Sequence, residues 1–174
     1  MVKFWLVAVL CVLFCGSLFA SDSSDARRRL ASSPSLSESQ SWQLSHDTDW
    51  TVRQSLASNR RAPTALLDQL SQDPNVQVRI AVATNLSTTE ATFLRLARDK
   101  DSSVRSVVAR FEYVPANALA VLAQDGNTDI RLEVARNPNT TKQTLRLLTR
   151  DPQPEVANSA TISLQRLAED AQGD

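Results

Sequence analysis

The stretch Asp73-Pro74-Asn75-Val76-Gln77-Val78-Arg79-Ile80-Ala81-Val82-Ala83-Thr84-Asn85 returns, altered but legible, every 26 residues. Arg53, Arg79, Arg105 and Arg131 stand at that spacing, each preceded by Val or Ile. Asp47, Asp73, Asp99, Asp125 and Asp151 keep the same period, as do Ala57, Ala83, Ala109 and Ala135. So do Leu44, Leu70, Leu96, Leu122 and Leu148. Several columns agreeing on one period mark a repeat architecture, and a repeat has to be recognised before any other fold reading.

Each unit reads as two short helices. The first is predicted to begin at the column aspartate, with Asp73 as its cap and Pro74 at the first helical position. Val78, Val82 and Ala81 or Ala83 then form an apolar stripe at i, i+3, i+4 spacing. Asn85 reads as a left-handed residue closing that helix. The second helix is expected after Pro63, Thr89, Pro115 and Thr141. Thr88 or Thr140 reads as its N-cap, the latter with Gln143 at capping-box spacing. Its seam pairs Leu67, Phe93, Leu119 and Leu145 with Leu70, Leu96, Leu122 and Leu148, and small residues follow at Ser71, Ala97, Ala123 and Thr149. Helices this short are marginal alone. One pair cannot bury its own apolar face, so each must stack on the next. The expected fold is all-α, an α-α superhelix or solenoid of short helix pairs.

The repeat extends forward. Arg27, Ala31 and Leu44 fall in the columns, so the Ser-rich stretch 32–45 reads as a degenerate first repeat rather than a tether, as terminal caps usually are. At the other end the Arg column becomes Ala157, and Pro152 and Pro154 precede a longer capping helix.

Ahead of the repeats, Phe4 to Ala20 is almost wholly apolar and follows Lys3. The pattern is that of a secretory signal, with Leu18-Phe19-Ala20 as a cleavage site before Ser21. Retention as a membrane anchor is the alternative, since the run sits at the short end of the spanning range. Lipid attachment at Cys15 is disfavoured because Phe14 stands where a small residue belongs. The chain thus divides into a signal peptide or N-terminal anchor over 1–20, a short linker over 21–25, a helical repeat domain over 26–170 with degenerate first and last repeats, and a tail over 171–174.

Composition narrows the function. Both cysteines, Cys11 and Cys15, lie in the apolar run, so the remainder has no thiolate for metal or nucleophilic chemistry. His46 is the single histidine, and its column holds Gln72, Arg98, Gln124 and Arg150, so it reads as a solvated residue rather than a general base. No Gly-rich phosphate loop, metal-ligand spacing or Ser–His–acid set is present, and neither a catalytic residue nor a cofactor is expected. The 19 basic and 19 acidic residues balance, which argues against the basic stripe that nucleic acid requires.

The Asp and Arg columns lie six residues apart. The expectation is a structural ladder of Asp47, Arg53, Asp73, Arg79, Asp99, Arg105, Asp125 and Arg131, linked by charge-assisted hydrogen bonds within or between repeats. One unit breaks the pattern: Phe111-Glu112-Tyr113-Val114-Pro115 puts Phe111 in the Asn column and the single tyrosine two residues later. Aromatics in a turn either find local cover or anchor an interface. Phe111, Tyr113 and Trp50 are therefore the partner-binding candidates, with local packing as the competing account of Phe111 and capping of the exposed N-terminal end as that of Trp50.

The pattern Asp-x5-Arg-x3-Ala-x-Asn-x3-Thr, then Leu-x2-Leu, then Asp, resembles the bacterial leucine-rich repeat variant and, more distantly, HEAT-type repeats. Ala135-Arg136-Asn137-Pro138-Asn139-Thr140-Thr141 carries it best, and the resemblance spans about residues 26 to 157. It implies a curved stack of short helices used for protein interaction, and no catalytic residues. The functional expectation is an exported, monomeric, non-enzymatic scaffold with a protein partner and no nucleic acid. A membrane-tethered assembly subunit is the alternative, and a lyase or DNA glycosylase on a HEAT-like scaffold is disfavoured.

Overall fold

A computed structural model describes residues 23–170. The apolar run and the tail after Asp170 lie outside the described residues, and with them the readings of a signal, an anchor or a lipid site.

The described residues are all-helical. Five pairs follow one another: α1 (Ser24–Ala31) with α2 (Glu38–Leu44), α3 (Trp50–Ala57) with α4 (Thr64–Leu70), α5 (Val76–Ala83) with α6 (Glu90–Leu96), α7 (Ser102–Arg110) with α8 (Ala116–Leu122), and α9 (Thr128–Arg136) with α10 (Lys142–Leu148). A long α11 (Pro154–Asp170) closes the stack. The first helix lies partly in the segment 21–25 read as linker, because Ser23 accepts from the Ala26 N–H and caps it. Each first helix packs on the first helix of the next pair, from α1 through to α11. Among the described residues no helix is long and apolar enough to cross a membrane.

One core runs the length of the stack. Val52, Leu56 and Ala57 from α3, Val78, Val82 and Ala83 from α5, Val104, Val108 and Ala109 from α7, and Ile130, Val134 and Ala135 from α9 are fully buried. The second helices add Leu67, Leu70, Leu96, Leu119, Leu122, Leu145 and Leu148. Each such Val, Leu or Ile side chain contributes roughly 2 kcal/mol by leaving water, and each alanine methyl less than half of that. That burial, not helix propensity, holds seven- to nine-residue helices together.

The helix starts differ from the sequence expectation. The column aspartate is not the cap. Asp47, Asp73, Asp99 and Asp125 each accept the backbone N–H two residues on, at 2.8–2.9 Å, making a turn. The cap is the residue that this turn delivers: Asp49, Asn75, Asp101 or Asn127, which accepts in turn from the N–H two further on. Two such turns in tandem start the helix two residues later than Asp-Pro chemistry alone implies, and the column carboxylate is left pointing sideways for another use.

Thr88 and Thr140 are not caps either. Their hydroxyls donate back to the Val82 and Val134 carbonyls, both at 2.6 Å, tying the turn to the helix before it. Thr89 and Thr141 cap α6 and α10, accepting from Thr92 and Thr144 N–H groups. A complete capping box does occur, in the degenerate first repeat, between Ser37 and Gln40.

Candidate interaction edge

Two kinds of inter-unit bond run along the stack, one at each end of the first helices. At the N-terminal end each column arginine reaches forward to the aspartate 20 residues later. Arg53 grips Asp73 through Nε at 2.6 Å and Nη2 at 3.0 Å, while its Nη1 donates to the Asp47 carbonyl at 2.6 Å. Arg79 does the same with Asp99 and the Asp73 carbonyl, and Arg105 with Asp125 and the Asp99 carbonyl. Arg131 extends the series to Asp151, and Arg27 begins it at Asp47. The aspartate partner raises the pKa of Arg53, Arg79, Arg105 and Arg131, against the opposing effect of burial. With every guanidinium turned inward onto a carboxylate, the ladder is a structural seam and presents no row of free cations.

At the C-terminal end of the first helices the asparagine column does the joining. Asn59 Nδ2 donates to the Ala31 and Ser33 carbonyls at 2.8 and 3.0 Å. Asn85 repeats this on Ala57 and Asn59, and Asn137 on Ala109 and Phe111. Ser163 keeps the column at the last unit with a 2.7 Å bond to the Ala135 carbonyl. These asparagines are not left-handed residues: among the described residues no non-glycine φ is positive. The chain turns in ordinary conformations because a side-chain amide, buried between two turns, satisfies the carbonyls of the turn before.

Phe111 is where this column fails, since a phenyl ring has nothing to donate to the carbonyls of Ala83 and Asn85. The ring instead goes half-inward. It stacks on Phe93 of the preceding unit, centroids 6.0 Å apart, and packs against the core. Tyr113 then lies edge-on to Phe111 at 5.7 Å and stays 63% exposed. Aromatic contact thus replaces amide bonding between the two units, and the outermost ring faces solvent. Leu86, in the neighbouring turn, is 54% exposed. The register of the turns puts them in neighbouring units: Ser87 Oγ meets the Arg60 carbonyl and Asn139 Nδ2 the Glu112 carbonyl, so position 113, in the column of Ser87 and Asn139, falls beside the turn of Leu86.

Trp50 is not part of this cluster. It is the first residue of α3, 39% exposed, at the opposite end of the first-helix layer. The sequence candidates therefore divide into a pair, Phe111 and Tyr113, and an isolated tryptophan. Leu86 was missed because a single exposed leucine leaves no mark in a periodic sequence; its place beside the broken column could have marked it. His46 is exposed, with Nδ1 2.9 Å from the Trp42 carbonyl. Among the described residues no group of His, Cys, Asp and Glu could hold a metal ion.

No family model matches the chain. No curated protein matches it. A solved structure described as "a leucine-rich repeat variant with a novel repetitive protein structural motif" is similar to it at 24% identity, over 85% of this chain and 70% of that one, with a TM-score of 0.46. The all-helical repeat architecture rests on the chain's own hydrogen bonds and core.

Proposed function

We propose that this chain is an exported, non-enzymatic repeat scaffold that holds a protein partner on the edge formed by the turns within its helix pairs. The observation that carries the reading is the exposure of Tyr113 on a ring, Phe111, that is itself anchored to Phe93. A rigid, half-supported aromatic at a solvent-facing edge has the form of an interface anchor. Export rests on the apolar run Phe4–Ala20 ahead of a polar stretch.

A photo-crosslinking residue placed at position 113 tests the binding edge in the native host. The expected result is a discrete crosslinked protein that is absent when the same residue stands at position 147, where an exposed leucine of α10 serves as control. Equal crosslinking from both positions, or none from 113, overturns the edge assignment. Intact mass of the protein from that host tests export: a chain beginning at Ser21 supports it, and a chain retaining residues 1–20 replaces it with a membrane-tethered assembly subunit.

A further inference from the structure

The edge that bears Tyr113 also carries unbalanced charge. Four of its five turns, 58–62, 84–88, 110–114 and 136–140 (the last two taken with the residue that ends the first helix), contain Arg60, Arg61, Arg110 and Arg136 against Glu112, and the first, 32–36, contains no charged residue. All four arginines are exposed, and among the described residues none is in an ion pair. Elsewhere the ladder guanidiniums are committed to aspartates, Arg28 meets Asp25, and Arg95 meets Asp68. Arg29, Arg98, Arg146, Arg150 and Arg166 are exposed outside these ion pairs, so what sets this edge apart is four arginines gathered against one glutamate beside exposed apolar side chains. Glu90 and Lys142 flank the strip at the starts of α6 and α10, and Glu90 already accepts from Asn117. The chain as a whole balances its charge, so the excess is a property of this edge.

We infer that the edge takes an acidic, extended polypeptide segment with an apolar residue at its centre. This inference rests on the scaffold reading above and adds the chemistry of the partner. In stack order the edge runs Arg60 and Arg61, then Leu86, then Arg110 with Phe111 and Tyr113, then Arg136. Cations stand at both ends with apolar surface between them. Packed helices lie about 8–10 Å apart, so the three steps from Arg60 to Arg136 span roughly 24–30 Å. An extended chain at about 3.3 Å per residue covers that distance in about eight or nine residues. Carboxylates at its ends meet guanidiniums in charge-assisted hydrogen bonds, and its central side chain lies on Tyr113 and Leu86. A polynucleotide fits less well. Glu112 sits in the middle of the strip, and Tyr113 is the one strongly exposed aromatic there, whereas single-stranded nucleic acid stacks successive bases on several rings along a continuous basic groove.

The test uses fluorescence anisotropy with the full chain purified from its host and three labelled probes. One is a nine-residue peptide with glutamates at both ends and Leu-Phe at the centre. The second replaces every glutamate by lysine, and the third is a twelve-nucleotide single-stranded DNA. The acidic peptide is expected to bind and the lysine peptide not. Arg110→Gln with Arg136→Gln is expected to weaken binding at least about fivefold and to flatten its salt dependence. Arg98→Gln with Arg150→Gln, on the opposite edge, should leave it unchanged. Absence of binding up to millimolar acidic peptide, equal binding of the lysine peptide, or indifference to the Arg110 and Arg136 changes overturns the inference. Tighter binding of the DNA through the same arginines reassigns the edge to nucleic acid. If the peptide fails while position 113 still crosslinks a protein, the scaffold reading stands and only the acidic character of the partner is wrong.

Discussion

Arg79 and Asp99, 20 residues apart, meet in a two-pronged bond, Nε to Oδ2 at 2.7 Å and Nη2 to Oδ1 at 3.0 Å, with the arginine only 5% exposed. The third prong, Nη1 on the Asp73 carbonyl at 2.8 Å, ties the same guanidinium to its own unit. One side chain therefore joins two units at a buried seam.

Arg79→Ala strands a buried carboxylate and a backbone carbonyl together. The expected loss of stability is about 3 kcal/mol, read from the denaturant midpoint. Arg79→Lys should recover little of it, because a point charge cannot serve three acceptors held in a fixed fork. Arg28→Ala, in an exposed pair with Asp25, should stay within about 0.5 kcal/mol. Similar midpoints for Arg79→Ala and wild type would dismiss the ladder as a source of stability.

Asn137→Ala removes a buried donor that serves the carbonyls of Ala109 and Phe111. A cost of about 2 kcal/mol is expected. Asn139→Ala, at an exposed position two residues later, should cost less than half as much. A thermal melt of each variant gives the comparison, and equal shifts would remove the distinction between the buried column and the rim.

The Phe111 unit allows a sharper experiment. Phe111→Ala loses the ring's contact with Phe93 and should destabilise by about 2 kcal/mol, less than for a fully buried ring. Phe111→Asn loses the same ring but restores the column donor opposite the Ala83 and Asn85 carbonyls, so it should lose less than about 1 kcal/mol. Both should weaken crosslinking from position 113, because the crosslinking residue standing there loses the ring that supports it. An asparagine variant no more stable than the alanine variant would show that the amide cannot reach its carbonyls here.

Acid should loosen the stack in a defined window. The Asp151 carboxyl lies below its ordinary value because of the hydrogen bond from Arg131, and the Asp68 carboxyl because of the bond from Arg95. At Asp125 burial pushes the carboxyl up, but hydrogen bonds from Arg105 and the Asn127 N–H outweigh it, and the net direction is down. A carboxyl depressed on folding contributes stability that is complete above its unfolded pKa, about 3.9. That contribution is lost as pH falls through the folded value. Chemical denaturation should thus give nearly the same stability at pH 7 and pH 5 and a clear fall by pH 3. Asp151→Asn should reduce the size of that fall. A stability that drops between pH 7 and pH 5 would assign the sensitivity to other groups.

Much of this architecture is legible in the sequence, for a physical reason. A stack that repeats its bonds must repeat the residues that make them, so Arg79 and Asp99 lie in columns that can be read without coordinates. Direction is not legible. Nothing in the spacing says whether Arg79 turns to Asp73, six residues back, or to Asp99, and it uses the carbonyl of one and the carboxylate of the other. Asn85 misleads for a related reason: asparagine suits both a left-handed helix end and a buried inter-turn donor, and only burial separates the two. Thr88 and Thr89 are adjacent and chemically alike, so which one caps α6 depends on where the first helix already ends. At the candidate edge, Phe111 and Tyr113 announce themselves by breaking a column. Leu86, Arg60 and Arg61 do not, because an exposed residue in a turn is constrained by no neighbour, and Arg110 and Arg136, though one period apart, fill a column that holds Ser58 and Thr84 in the two units before.

The forward reach of the arginines makes the molecule additive. Every internal unit offers a carboxylate backward and a guanidinium onward, so such a block of 26 residues copied in place finds a partner for both of these groups. The same rule gives the array an end. Ala157 stands where the next arginine would be, within the long α11, and makes no demand for another aspartate beyond it. Length in such an object is therefore a matter of copy number, adjustable in whole steps without redesigning any joint, and a binding edge can be made longer or shorter by the same arithmetic.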